Sequence, residues 1–361
     1  MKKSLTKILL LLLAVLLLAA CGRGNDEAYE DYDEEYEVYE TEPETTPEPE
    51  PEPPAALGML TGLPIYEGYL DRRPLAVVVN NDFAALPQDG LLAADVFYEV
   101  LVEAAVTRIL AVFQSQMPER VGPIRSARYY FIDMAFNHDA IFVHHGATYA
   151  GYARIRETGI NNLDGIALET SVFWRDRSFP EWSGMTGQRS LEHSSFSTWE
   201  RILTRLESHS VRQHVGDGDF GFNFGEIPEA VRPIATASVI AVPFSNPYAR
   251  TFTFENDAYL VSNPRGPHVD AAAGQQVAVQ NVLVQLVPIR VISGSVYRDV
   301  DTVGSGQGYL FTNGQQYEVQ WTKASPMSPM VWTFADGSPL VLTPGKTWIN
   351  VLQDAAAPIV E

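Results

Sequence analysis

The chain reads as an α/β domain followed by a mainly β domain, both carried on a disordered acidic tether. Three observations point to this. Between residues 57 and 228, short valine-rich apolar runs alternate with helical stretches, the pattern of an α/β layer fold. From 229 to 361 the helical signal largely stops, and strand-like runs separated by turn residues take over. Ahead of both, Asn25 to Pro54 is almost all Glu, Asp, Tyr, Thr and Pro, ending in alternating Pro and Glu from Pro47 to Pro54. Like charges and alternating prolines cannot bury a core, so this stretch is expected to be an extended spacer.

The elements follow in chain order. Lys2, Lys3 and Lys7 make a basic start, Ile8 to Leu18 is unbroken apolar sequence, and Leu18-Ala19-Ala20-Cys21 closes it with small residues before a thiol. This three-part build predicts a secretory signal over residues 1–20; the apolar stretch is too short for a spanning helix. The closing motif resembles a lipobox. It implies cleavage after Ala20, a diacylglyceryl group on Cys21 and residence on the extracytoplasmic face of the cell membrane. Two or more acyl chains anchor stably where one holds marginally. Residues 21–56 form the tether, whose some thirty residues from Asn25 to Pro54 reach at most roughly 90 Å in polyproline form at about 3.1 Å per residue.

Cys21 is the single cysteine, so no structural disulfide or cysteine-based metal site is available. The formal net charge is −20, of which residues 1–54 carry −10 and the remainder −10. A mildly acidic body with no basic stripe argues against a nucleic-acid partner. No metal and no cofactor is expected.

In the first domain, Leu75 to Asn80 reads as a buried strand, with further strands over Asp95 to Glu103, Thr107 to Ser115 and Ala140 to His144. Helices are predicted over Ser126 to Asn137 and Ala147 to Glu157. Ser197-Thr198-Trp199-Glu200 is a capping-box pattern opening another through about Glu207. The boundary falls near Glu226 to Pro233. Beyond it, strands are predicted over Val239 to Phe244, Thr251 to Val261, Val277 to Val287, Arg290 to Val300, Gly308 to Phe311, Gln315 to Thr322 and Leu340 to Leu342. Asn313-Gly314 is a strong hairpin cue.

The most distinctive local feature is Gly122-Pro123-Ile124-Arg125-Ser126-Ala127-Arg128. Ser126 is a good N-cap, and a helix start carries unpaired N–H groups and partial positive charge. Arginines there oppose the helix dipole but suit a bound anion, which guanidinium forks grip with paired bonds. The competing reading is an internal network, with Glu99, Glu103, Asp133 or Asp164 as partners.

These residues also carry a family resemblance. Pro74 to Asn81, Tyr98 to Glu103, Thr107-Arg108, Gly122 to Arg128, Val143 to Thr148, Leu163 to Ile166 and Phe173 to Asp176 resemble, in order, the YerB-type bacterial lipoproteins, catalogued as domain of unknown function 3048. The second domain continues the match through Gly266 to Asp270, Gln280 to Val282, Gly304 to Gly308 and Pro344 to Ile349. The resemblance implies a two-domain envelope lipoprotein and supplies no reaction. This chain departs from it at Glu192-His193-Ser194, where relatives tend to read proline-His-Asn.

Among the polar residues, His144 ends a strand beside Gly146, where α/β folds place ligands; a satisfied core histidine is equally consistent. His145 should face the other way. His268 and Asp270 share a strand face or turn, as a base with its orienting acid or as a hydrogen-bonded turn. Trp174-Arg175-Asp176 suits a cleft wall or a loop staple. Gly304 to Gly308 lacks the Lys-Ser/Thr ending of a phosphate loop and reads as a tight turn. Serine-hydrolase, zincin and penicillin-binding signatures are absent.

Two functions remain. In the first, the body is a non-catalytic binding module for an anionic cell-wall polymer or an envelope protein, through Arg108, Arg125, Ser126, Arg128, His144, Asp164, Arg175 and His193. In the second, it is an envelope hydrolase or transferase in which His144 or His193 acts as acid or base, oriented by Asp164 or Asp176.

Overall fold

The valine-rich runs form the first strands of a large sheet: β1 (Leu75–Asn80), β2 (Val96–Leu101), β3 (Thr107–Phe113), β4 (Ile141–His144) and β5 (Asn162–Asp164). Every residue of β1 to β4 is buried, which is why they read as continuous apolar runs. The computed structural model describes residues 56–361, so the predicted signal peptide, Cys21 and the tether up to residue 55 lie outside the described residues.

The later strands are β6 (Val239–Pro243), β7 (Ala249–Glu255), β8 (Ala258–Asn263), β9 (Asn281–Val287), β10 (Gly304–Thr312), β11 (Gln315–Lys323), β12 (Val331–Phe334) and β13 (Thr347–Gln353). The large sheet has the order β12-β11-β10-β9-β13-β2-β3-β1-β4-β5, with Ala235–Thr236 paired to β11. The two sequence segments therefore share one sheet. β13 closes it, running parallel to β2 on one side and β9 on the other. The stretch between Glu226 and Pro233 is irregular, and residues 56–361 fall within one compact unit.

Strand side chains alternate between two cores. Val77, Val79, Phe97, Ile109 and Trp348 face one; Ala76, Val78, Tyr98, Leu110 and Ile349 face the other. The first core is covered by a second sheet built around β6, β7 and β8, through Ile240, Phe252 and Val261. The second is covered by helix α1 (Tyr129–Ala135), through Tyr130, Phe131 and Ile132.

Helix α2 (Tyr149–Thr158) is capped by Thr148, whose hydroxyl accepts from the Gly151 N–H at 3.1 Å, and stops at Gly159 with φ +64°. A single turn, α3 (Gly165–Leu168), starts from Asp164. Helix α4 (Trp199–Ser208) buries Ile202 and Leu206, four residues apart on one face.

Several expectations are corrected. α1 begins at Tyr129, not Ser126. Residues 124–127 are instead held extended: Arg125 N–H donates to the Val78 carbonyl and Ala127 N–H to that of Gly146, both at 2.8 Å. α4 is capped by Thr198, whose hydroxyl accepts from Arg201 N–H at 3.3 Å, while Ser197 donates to the Val172 carbonyl. The run over Thr251 to Val261 is a hairpin, broken at Asn256 and Asp257 with φ +50° and +62°. Gly304 to Gly308 is strand, not turn: a Cβ on Gly308 would lie 2.4 Å from the Val284 carbonyl oxygen of the neighbouring strand. Glycine there permits close strand approach. β12 and β13 went unpredicted.

Candidate functional site

The arginines singled out by sequence meet acids of their own chain. Arg108, on β3, donates from Nη2 to Glu103 Oε1 at 2.6 Å, and Arg128 donates from Nε to Glu103 Oε2 at 3.1 Å and from Nη2 to the same oxygen. Both guanidiniums also donate to the Ser126 carbonyl, and Arg128 to that of Ala127 at 2.8 Å. Their side chains are only 4% and 7% exposed. Burial alone would raise the Glu103 pKa, but Arg108 and Arg128 outweigh it and hold it below the ordinary value. Arg125 reaches Glu192 Oε2 at 2.7 Å in a partly exposed pair. The internal network is thus formed around Glu103. Of the other expected partners, Glu99 pairs with Arg250 and Asp133 with Arg154, while Asp164 pairs with no arginine among the described residues.

The remaining predicted contacts are also engaged. His144 is fully buried, with Nδ1 2.9 Å from the Gly146 carbonyl and Nε2 3.2 Å from Asn162 Oδ1. Asp164, 3.9 Å from His144, accepts from the Gly146 and Ile166 N–H groups and from the Tyr152 hydroxyl. Arg175 staples a loop: it donates to Glu169 at 2.6 Å, to the Leu191 carbonyl at 2.8 Å and to His145 Nε2 at 2.7 Å. Since guanidinium only donates, His145 accepts there and its Nδ1–H points at Ser195 Oγ, 2.8 Å away. That tautomer cannot take the serine proton. His193 accepts from Asn80 Nδ2 at 2.7 Å, and Asp176 pairs with Arg120. None of the eight predicted ligand contacts lines the cavity at Gln88 and His268 or the four others, around Arg212, Asp301, Gln320 and Trp332.

A different place has groups left over. A cavity of about 240 Å³ lies between the segment after β1 (Phe83, Leu86, Pro87, Gln88), the loop at Trp182 to Met185, and the β8 edge with Asn263, Arg265 and His268. Deeper in, Arg250 and Glu99 form a bidentate ion pair, both bonds 2.8 Å, with the side chains 2% and 1% exposed. This pair sets the polarity of the cavity wall. A carboxylate only accepts, so Asn81 presents its NH₂ to Glu99, at 3.0 Å. Its oxygen then faces Gln88 Nε2, also at 3.0 Å. Gln88 Nε2 donates in addition to the Asn80 carbonyl, leaving Gln88 Oε1 a buried acceptor with no partner among the described residues.

On the other side Arg250 donates to His268 Nδ1 at 2.7 Å, so the proton sits on Nε2, which also has no partner among the described residues. Burial first, and the Arg250 cation second, push the His268 pKa well below its ordinary value, keeping the ring neutral. Asp270 does not orient it. Its carboxylate accepts from the N–H groups of Leu92, Ala272 and Ala273, as the hydrogen-bonded turn reading expected. At the rim, the exposed Arg265 guanidinium lies 4.2 Å over the Phe83 ring, which stacks on Tyr248 at 4.4 Å. Arg265 makes no ion pair with an acid among the described residues.

Sequence reasoning singled out His268 but missed Gln88, Arg250 and Arg265. The available signal was Arg250, which shares the inward face of an alternating strand with the buried Phe252.

Comparison with known proteins places this geometry in context. Residues 60–212 match the family described as "Protein of unknown function (DUF3048) N-terminal domain", and 240–349 match its C-terminal domain. The chain is 32% identical over 304 residues to the Bacillus subtilis (strain 168) protein named "Putative lipoprotein YerB", covering 82% of this chain and 86% of the relative. The crystal structure of YerB from Bacillus subtilis superposes with a TM-score of 0.72 at 32% identity, covering 84% of this chain and 99% of that one.

Proposed function

Because the chain belongs to the DUF3048 family, which includes a protein named as a lipoprotein, we propose that it is an extracytoplasmic, lipid-anchored binding protein whose cavity takes a small anionic envelope ligand. Cys21 is the anchor point on this reading and the acidic tether the spacer. Among the described residues no helix is long and apolar enough to cross a membrane.

One observation carries the binding assignment: a cavity of about 240 Å³ with a mostly apolar lining opens beside Gln88 and His268, and the exposed Arg265 at its rim pairs with no acid among the described residues. The requirement for negative charge survives from the sequence, but its cation becomes Arg265 rather than Arg108, Arg125 or Arg128. The acid–base alternative finds no such support: His144 is fully buried with both ring nitrogens against neighbouring oxygens, and His193 accepts from Asn80.

Calorimetric titration of the full chain with 4-methylpentanoate tests the cavity. Saturable binding is expected in the millimolar range, weakened by Arg265→Gln and abolished when Leu86→Trp fills the space. Binding that neither substitution alters rules the cavity out. For the anchor, Cys21→Ser should move the protein from the membrane fraction to the medium; retention in the membrane refutes attachment at Cys21.

A further inference from the structure

We infer that residues 180–188 form a lid over this cavity, hinged where Arg177 meets Arg189 and latched by one hydrogen bond from Trp182 to Ala271. The inference rests on the binding assignment above and adds how access to the site is governed. The base of the loop is fixed. Arg189 N–H donates to the Arg177 carbonyl at 2.8 Å, and Arg177 Nε donates back to the Arg189 carbonyl at 2.6 Å. The Arg189 side chain is buried and donates to the carbonyls of Ser178 and, at 3.0 Å, of Pro87. Its guanidinium also lies 4.4 Å over the Phe179 ring. A loop drawn together at its ends in this way can move as one body.

Beyond the base the fastening is slight. None of residues 180–188 is buried. Their own bonds close on themselves: Ser183 Oγ donates to the Pro180 carbonyl at 2.7 Å and accepts from Met185 N–H at 3.2 Å. Gly184 and Gly187 turn the chain at φ +66° and +86°, with nothing within 4 Å of where a Cβ would stand. Among the described residues, a single hydrogen bond leaves this stretch for the rest of the chain, from Trp182 Nε1–H to the Ala271 carbonyl at 3.0 Å. Few buried contacts and few outward bonds mark a segment that opens locally, far more easily than the whole chain unfolds.

What the stretch covers gives that opening its use. Trp182, Ser183 and Met185 form one wall of the cavity, and the rest, with Phe83, Leu86 and Pro267, belongs to the body. The seat of the latch is held in place, since Ala271 N–H donates at 2.7 Å to the carbonyl of Gln88, itself a lining residue. A guest touches both walls only while the lid is shut, so binding favours the closed form.

The test is amide-resolved hydrogen exchange on the full chain, with and without saturating 4-methylpentanoate, beside the calorimetric titration. In the free chain, residues 181–188 should exchange at least about a hundredfold faster than β1. The ligand should slow that exchange about fivefold or more, including at Gly187 and Gln188, which line no part of the cavity. Trp182→Phe keeps an aromatic ring but removes the latch. It should speed exchange across the stretch about threefold and weaken binding by a similar factor. Binding that leaves exchange unchanged, or slows it only at Trp182, Ser183 and Met185, overturns the lid and leaves the cavity assignment intact. Exchange in the free chain as slow as in β1 does the same, and a Trp182→Phe chain that behaves as the native one overturns the latch. No calorimetric binding overturns both the lid and the cavity.

Discussion

The arginine cluster and the cavity differ in how completely their polar groups are matched. Around Glu103, two guanidiniums share one carboxylate and take up the neighbouring carbonyls, so concentrated charge is turned inward to hold the loop before α1 against β3. Beneath the cavity an ion pair of similar make-up, Glu99 with Arg250, is likewise satisfied, yet the chain of hydrogen bonds leaving it ends on two buried atoms without a partner among the described residues. The abundance of charge marks architecture here.

That contrast can be broken or sharpened by substitution. The largest effect is expected from Glu99→Gln, which leaves the Arg250 cation buried without a carboxylate; urea unfolding should show a loss of about 3–5 kcal/mol. A loss below 1 kcal/mol would mean the pair does not organise the cavity. Glu103→Gln should cost less, about 1.5–3 kcal/mol, because Glu103 is partly exposed and carbonyls still hold both arginines.

Glu103 also predicts a pH dependence. Its folded pKa lies below the unfolded one, so its contribution is complete above the ordinary glutamate range and is lost as pH falls through the folded value. Urea midpoints measured downward from pH 6 should fall more steeply for the native chain than for Glu103→Gln; parallel curves would contradict the clamp. Smaller still, Arg125→Ala should change stability by under about 1 kcal/mol, since Glu192 is largely exposed, and should leave probe binding unaltered. Loss of binding in that variant would return the ligand to the arginine cluster. Arg265→Gln is expected to alter affinity and to shift the unfolding midpoint least of all, by under about 0.5 kcal/mol.

Much of the secondary structure was legible because it depends on local pattern. The run Leu75 to Asn80 is β1 residue for residue, and Asn313-Gly314 is the turn between β10 and β11, with φ +51° and +69°. The Asn256-Asp257 turn uses the same left-handed conformation but lies inside a strand-like run with no glycine to mark it. Of the site, only His268 was visible. Gln88 and Arg265 sit in irregular or edge segments 177 residues apart, and nothing local distinguishes them from ordinary surface residues.

The sequence by itself determined the anchor pattern, the spacer composition, the α/β-then-β order of elements and the family, because each is written in neighbouring residues. Tertiary structure alone decided that β13 enters between β2 and β9 to make one sheet of two segments. It also decided which carboxylate answers which guanidinium, and so which polar atoms remain over. Pairing is a long-range competition among many donors and acceptors, and its leftovers exist only once every partner has been brought into place.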